Sequence, residues 1–127
     1  HCYPFLIHKT KALLSIPYPQ NQGKHTHLAF SEIRTKKLFS KSSGGRVGAK
    51  KVVVMITDGD IDDPDNTLRE AKLLENTGVS IFSVGVGVTN TELLEALASK
   101  PENVFTAVDF VMLDYSKNHL VQTICNK

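Results

Sequence analysis

The chemically densest stretch of this sequence is DGDIDDPD, which gathers Asp58, Asp60, Asp62, Asp63 and Asp65. Carboxylate oxygens at this density suit a hard divalent cation such as Mg²⁺ or Mn²⁺. The Asp-x-Asp-x-Asp opening is that of a calcium loop. However, Asp63 stands at the sixth position, where the turn needs Gly, and Arg69 at the twelfth, where a bidentate Glu is needed. The competing use of these acids is structural. Asp63 can cap a helix, Pro64 fits its first position, and the other carboxylates then form a solvated turn.

Other chemically suggestive spacings are weaker. His25 and His27 flank Thr26 and offer two imidazoles to a transition metal, with no third ligand near in sequence, so ordinary loop residues are the competing reading. Gly44 to Lys50 has the glycines and lysine of a phosphate loop, but the spacing differs and the segment precedes a strand. Gly85-Val86-Gly87 follows a strand, yet Asn90 stands where the third Gly of a dinucleotide fingerprint belongs, which leaves a tight turn. Between residues 34 and 51 lie Arg34, Lys36, Lys37, Lys41, Arg46, Lys50 and Lys51, without one acidic residue. Such a run can attract a sulfated glycosaminoglycan, or it can be a solvated helix face and loop. No nucleophile and base are placed for covalent catalysis.

These residues must be held by a modest framework. The chain has 127 residues, 41% hydrophobic and 22% charged, enough for one domain around a single core. A net charge of +2 does not call for a nucleic-acid partner. The longest apolar run, Val52 to Ile56, excludes membrane insertion by a helix. Cys2 and Cys125 lack the spacing of a zinc site; reduced, buried thiols are the expectation, and a bridge between them is the alternative.

Periodicity supplies the elements. Tyr3 to Ile7 reads as an edge strand because of Pro4, Lys9 to Ser15 as a helical turn or two, and Gln20 to Lys24 as loop. Thr26 to Phe39 reads as an amphipathic helix with Leu28, Ala29, Ile33 and Leu38 inward. Val52 to Thr57 is a β-branched run expected to be a strand buried on both faces of a parallel sheet. A helix follows, carried by Leu68, Ala71, Leu73 and Leu74 and closed by Gly78. Val79 to Val86 is the next strand. Thr89 and Glu92 are spaced as a capping box for a helix through Leu93, Leu94, Leu97 and Ala98. Asn103 to Val108 is a last strand, and Asp109 caps a final helix with Phe110, Leu113, Leu120, Val121 and Ile124 inward. This alternation predicts an α/β, Rossmann-like, doubly wound and mostly parallel sheet flanked by helices. In such sheets ligands bind at the carboxyl ends of strands, which directs attention to the turn at Asp58.

The segments ITDGDIDDPDNTLREAKLLENTGVSIFSVGVG and ELLEALASKPENVFTAVDFVML resemble the second half of a von Willebrand factor type A domain, of the kind found in matrilins and collagens. GKHTHLAFSEI and GGRVGAKKVVV extend the resemblance upstream. It implies a partial domain over residues 1–127, lacking the family's first strand, first helix and second strand, and cut from a longer protein. It further implies a secreted, non-enzymatic adhesion module of the extracellular matrix, in which a divalent cation at the top of the sheet is completed by an acidic side chain of the partner. The implied partners are collagen-like matrix proteins or sister type A domains; the alternative is a structural domain that self-associates without metal.

Transferred residue by residue, the family's metal site is incomplete. Asp58 of Thr57-Asp58-Gly59 matches its third ligand loop. The Asp-x-Ser-x-Ser loop is absent from the 127 residues. The family's Gly-Thr-x-Thr-x-x-Ala reads here as Gly23-Lys24-His25-Thr26-His27-Leu28-Ala29, so the ligand Thr falls on Lys24 and Thr26 is the second, structural Thr. Asp58 and Thr26 remain the metal candidates for Mg²⁺ or Mn²⁺ in an intact parent, and no cofactor is expected in this chain alone. Related matrix domains also carry a cysteine near Cys125, paired with one before the first strand.

Overall fold

A computed structural model describes residues 24–126. The expected strand at Tyr3 to Ile7, the helical turns at Lys9 to Ser15, most of the Gln20 to Lys24 loop, and Cys2 lie outside the described residues. Three strands form one parallel sheet in the order β1 (Lys51–Thr57), β2 (Val79–Val86), β3 (Val104–Ala107). Val53 is opposite Ile81 and Ser83 is opposite Val104. The helices are α1 (Thr26–Thr35), α2 (Pro64–Glu75), α3 (Glu92–Leu97) and α4 (Phe110–Cys125). Strand and helix alternate from β1 onward, and side chains on both faces of the sheet meet helices, which is the doubly wound arrangement.

β2 lies in the middle, and only Ser80 of its eight residues is exposed. Val79 and Ile81 join the larger core with Phe30, Met55, Ala71, Leu74, Leu94 and Leu97. The alternate residue Phe82 points to the opposite face, where it stacks on Phe105, and Phe105 meets His119 of α4 edge to face. β1 departs from expectation: Met55 is its one buried residue, and Ile56 is 54% exposed. Among the described residues no strand pairs with its outer edge, and burial on both faces requires neighbours on both sides.

Three helix details also differ from the sequence reading. α1 stops at Thr35, after which Lys37 takes a left-handed backbone (φ 49°), and Phe30 with Ile33 faces the core while Leu28 and Leu38 are exposed. The Thr89–Glu92 capping box does not form. Instead Asn90 Oδ1 accepts the Glu92 N–H at 2.9 Å, and the Thr91 hydroxyl donates to Glu95 at 2.7 Å. Among the described residues α4 has no buried residue, with Phe110 and Val121 exposed instead of inward.

Other local expectations hold. Asp63 caps α2, accepting the Asn66 N–H at 3.2 Å ahead of Pro64. Asp109 caps α4, accepting the Met112 N–H at 2.8 Å. Arg34 and Glu70, 2.8 Å apart and largely covered, tie α1 to α2. Cys125 is disulfide-bonded, which overturns the reduced-thiol expectation; it is the single cysteine among the described residues, so its partner lies outside them.

Candidate functional site

β1 ends at Thr57 and delivers Asp58 to the carboxyl edge of the sheet. The turn is shaped locally: Gly59 takes φ +95°, which a side chain would strain, and its N–H donates to Thr57 Oγ1 at 3.1 Å. The Asp60 N–H approaches Asp58 Oδ1 at 3.4 Å. Across from this turn, Lys24 lies two residues before α1, next to its N-cap His25. Its ammonium donates to both Asp58 oxygens at 2.7 Å and lies 3.5 Å from Asp60.

The two charges shift one another. The hydrogen bond from Lys24 holds the Asp58 carboxyl below its ordinary value, and the same bond raises the Lys24 ammonium above its own. Asp63 is also lowered, by the hydrogen bonds that Asn66 donates to its capping carboxylate. The acidic turn is therefore divided in its work. Asp58 and Asp60 face Lys24, Asp62 lies 3.6 Å from His25 Nδ1, Asp63 caps α2, and Asp65 sits in the first turn of that helix.

The structure brings Lys24, Thr26 and Asp58 to one open hollow of about 520 Å³, which Met55, Thr57 and Phe110 also line. Phe110 belongs to this hollow although the sequence placed it in a helix core. His25 and His27 meet edge to face, 5.9 Å between ring centres, and do not converge on a shared point with a third ligand. Among the described residues, no group of three or more His, Cys, Asp or Glu side chains is arranged to hold a metal ion. Both oxygens of Asp58 accept from the Lys24 ammonium, so a cation at this carboxylate would meet that positive charge.

The basic run does not form one patch. Arg34 is engaged by Glu70, and Lys36 by Glu32 one helical turn away. Lys50 and Lys51 open β1, at the end of the sheet remote from Asp58, where they meet Lys37 and also Lys100. Lys100 lies outside the run and was not legible as part of it. The topology could have found it, since loops that precede parallel strands share one end of the sheet.

Against known proteins, the family model for the von Willebrand factor type A domain matches residues 8–118. The chain belongs to this family. Mouse collagen alpha-5(VI) chain is 33% identical over 110 residues, 85% of this chain and 4% of that protein. Human matrilin-1 is 37% identical over 89 residues, 68% of this chain and 18% of that protein. The chain thus spans a small part of its relatives. In fold it is similar to proximal thread matrix protein 1 of the mussel byssus, with a TM-score of 0.79 at 23% identity, covering 98% of this chain and 33% of that one. That structure has a zinc-occupied MIDAS motif.

Two stretches of this type A domain that carried the resemblance now have physical reasons. In VGVGV (residues 84–88), a Cβ on Gly85 would lie 2.5 Å from Leu94 Cδ1, so α3 packs directly on the strand backbone. In ASKPEN, Ser99 Oγ accepts the Ile81 N–H at 2.7 Å, and the Ile81 carbonyl accepts from Asn103 Nδ2 at 3.1 Å and the Ser99 N–H at 3.0 Å. β3 begins only opposite Ser83, so this loop serves backbone groups that β3 does not reach.

Proposed function

We propose that this type A domain is a non-enzymatic protein-binding module of a secreted extracellular matrix protein, and that its cation site is degenerate. The observation that carries the reading is Lys24, whose ammonium stands 2.7 Å from both oxygens of Asp58 at the carboxyl edge of the sheet. A positive charge fixed there repels a dication and serves the same carboxylate. Thr26 and Asp58 then act as surface contacts instead of metal ligands, and a partner is recognised by charge and shape around the hollow they line. The collagen and matrilin relatives support a matrix setting, and the disulfide at Cys125 fits an oxidising compartment.

The test is binding of the 127-residue chain to immobilised type VI collagen and matrilin-1, with and without chelator. The expected result is binding that EDTA leaves unchanged and that Asp58→Ala weakens. Binding abolished by EDTA and restored by Mg²⁺ would overturn the reading.

A second reading, metal-free assembly with sister domains, is favoured by a different surface. Ile56 of β1, whose outer edge pairs with no strand among the described residues, and Phe110, Val111 and Tyr115 of α4 are all exposed. An apolar strand edge of this kind promotes pairing between chains. Sedimentation velocity separates the two: concentration-dependent association lost in Ile56→Lys supports assembly, and a monomer at all concentrations refutes it.

A further inference from the structure

The parallel sheet gives this domain two chemically opposite ends. β1 covers about 20 Å from Lys51 to Thr57, with Lys50 and Lys51 at one end and Asp58 and Asp60 at the other. Lys100, just before the short helix that leads into β3, lies at the same end as Lys50. Two hollows open there. One, about 180 Å³, is lined by Lys50, Lys51 and Lys100 together with Ser80. The other, about 290 Å³, is lined by Lys37 and Lys51 together with Arg34 and Ser40. Lys51 belongs to both.

Among the described residues, no acidic side chain lines either hollow. Arg34 is neutralised by Glu70. The other four cations have no ion pair among the described residues, although the chain carries 13 Asp and Glu. Four unneutralised ammonium groups at one end of the sheet, distributed over two hollows that have Lys51 in common, build a positive potential that a multivalent anion relieves. Because the charges are spread over two adjoining hollows, they fit a repeating anion better than a single phosphate. The aromatic side chains lining the hollows, Phe39 and Phe82, are half-buried and buried, so no exposed ring offers the stacking platform of a single-stranded nucleic-acid site.

We propose that this end of the domain binds a linear sulfated polysaccharide through Lys37, Lys50, Lys51 and Lys100. The site lies at the opposite end of the sheet from Asp58 and is independent of the adhesion reading.

Heparin serves as the probe, measured by calorimetry on the 127-residue chain at about 0.15 M salt. The variant Lys50→Gln/Lys51→Gln/Lys100→Gln is expected to lose roughly tenfold in affinity and to show a shallower salt dependence. The control Lys36→Gln/Lys72→Gln/Lys117→Gln removes the same charge from lysines that sit in ion pairs elsewhere, and it is expected to bind like the parent. Circular dichroism checks folding, and Lys37→Gln/Lys100→Gln, which removes one lysine from each hollow, replaces the triple variant should it misfold. The proposal is overturned if the parent does not bind heparin, if both triple variants lose affinity equally, or if single-stranded DNA competes as strongly as heparin.

Discussion

Lys24 Nζ and the two oxygens of Asp58, each 2.7 Å away, join segments 34 residues apart in the chain. One group precedes α1 and the other follows β1, so the pair closes the carboxyl edge of the sheet with a charge that the chain itself carries. Both side chains are about half exposed, and salt screens an exposed pair. Its effect is to fix position and sign of charge more than to stabilise the fold.

The pair sets a pH window. Asp58 is lowered from its ordinary 3.8, so its contribution is full above that pH and is lost as pH falls through the depressed value. Lys24 is raised from 10.5, so its contribution is full below that pH and is lost as pH rises through the raised value. The melting-temperature difference between the parent and Lys24→Met should be small, constant across neutral pH, begin to shrink in acid below 3.8, and vanish once pH has passed the depressed value. A difference that grows in acid would contradict the pairing.

Metal response follows from the same geometry. The parent should show no change in melting temperature with millimolar Mn²⁺ or with EDTA. Lys24→Thr frees both Asp58 oxygens and removes the like charge, while Asp60 and Thr26 stay beside the same hollow. Paramagnetic Mn²⁺ should then broaden the amide resonances of Asp58, Asp60 and Thr26 in the variant at concentrations that leave the parent spectrum intact. Equal broadening in both would show that Lys24 does not bar the ion.

What could be read from the sequence was local. VVVMIT announces a strand by its β-branched residues, and Asp63-Pro64 announces a helix start, because both depend on neighbours in sequence. VVVMIT by itself suggests burial on both faces, whereas the missing first strand implied by the resemblance agrees with β1 at the edge of the sheet among the described residues. The inward face of α1 was misread because Leu28 and Phe30 offer competing stripes, and the larger ring took the core position. Lys24 stood out as a departure from the family's Thr. Its partnership with Asp58 required the fold to bring the two loops together.

The ASKPEN loop should be energetically costly to alter. Ser99 Oγ is the acceptor for the Ile81 N–H, on a residue with no solvent exposure. Ser99→Ala leaves that donor unpaired in the core, a loss of about 1–3 kcal/mol. Urea unfolding should show a lower midpoint with an unchanged slope. A midpoint equal to the parent's would mean that water reaches the Ile81 N–H.

Gly85 separates packing from backbone strain. Its φ is not positive, so alanine is conformationally acceptable there, and the only obstacle is space. An added Cβ would stand 2.5 Å from Leu94 Cδ1 and 3.1 Å from Val88 Cγ2, and Leu94 is itself 1% exposed with nowhere to retreat. Gly85→Ala should therefore destabilise by about 1–3 kcal/mol, as overpacking does. Gly85→Ala/Leu94→Ala, which makes room for the methyl, should cost less than the sum of the two single changes. Strictly additive losses in urea unfolding would show that the methyl does not press on Leu94, and that α3 stands off the strand backbone.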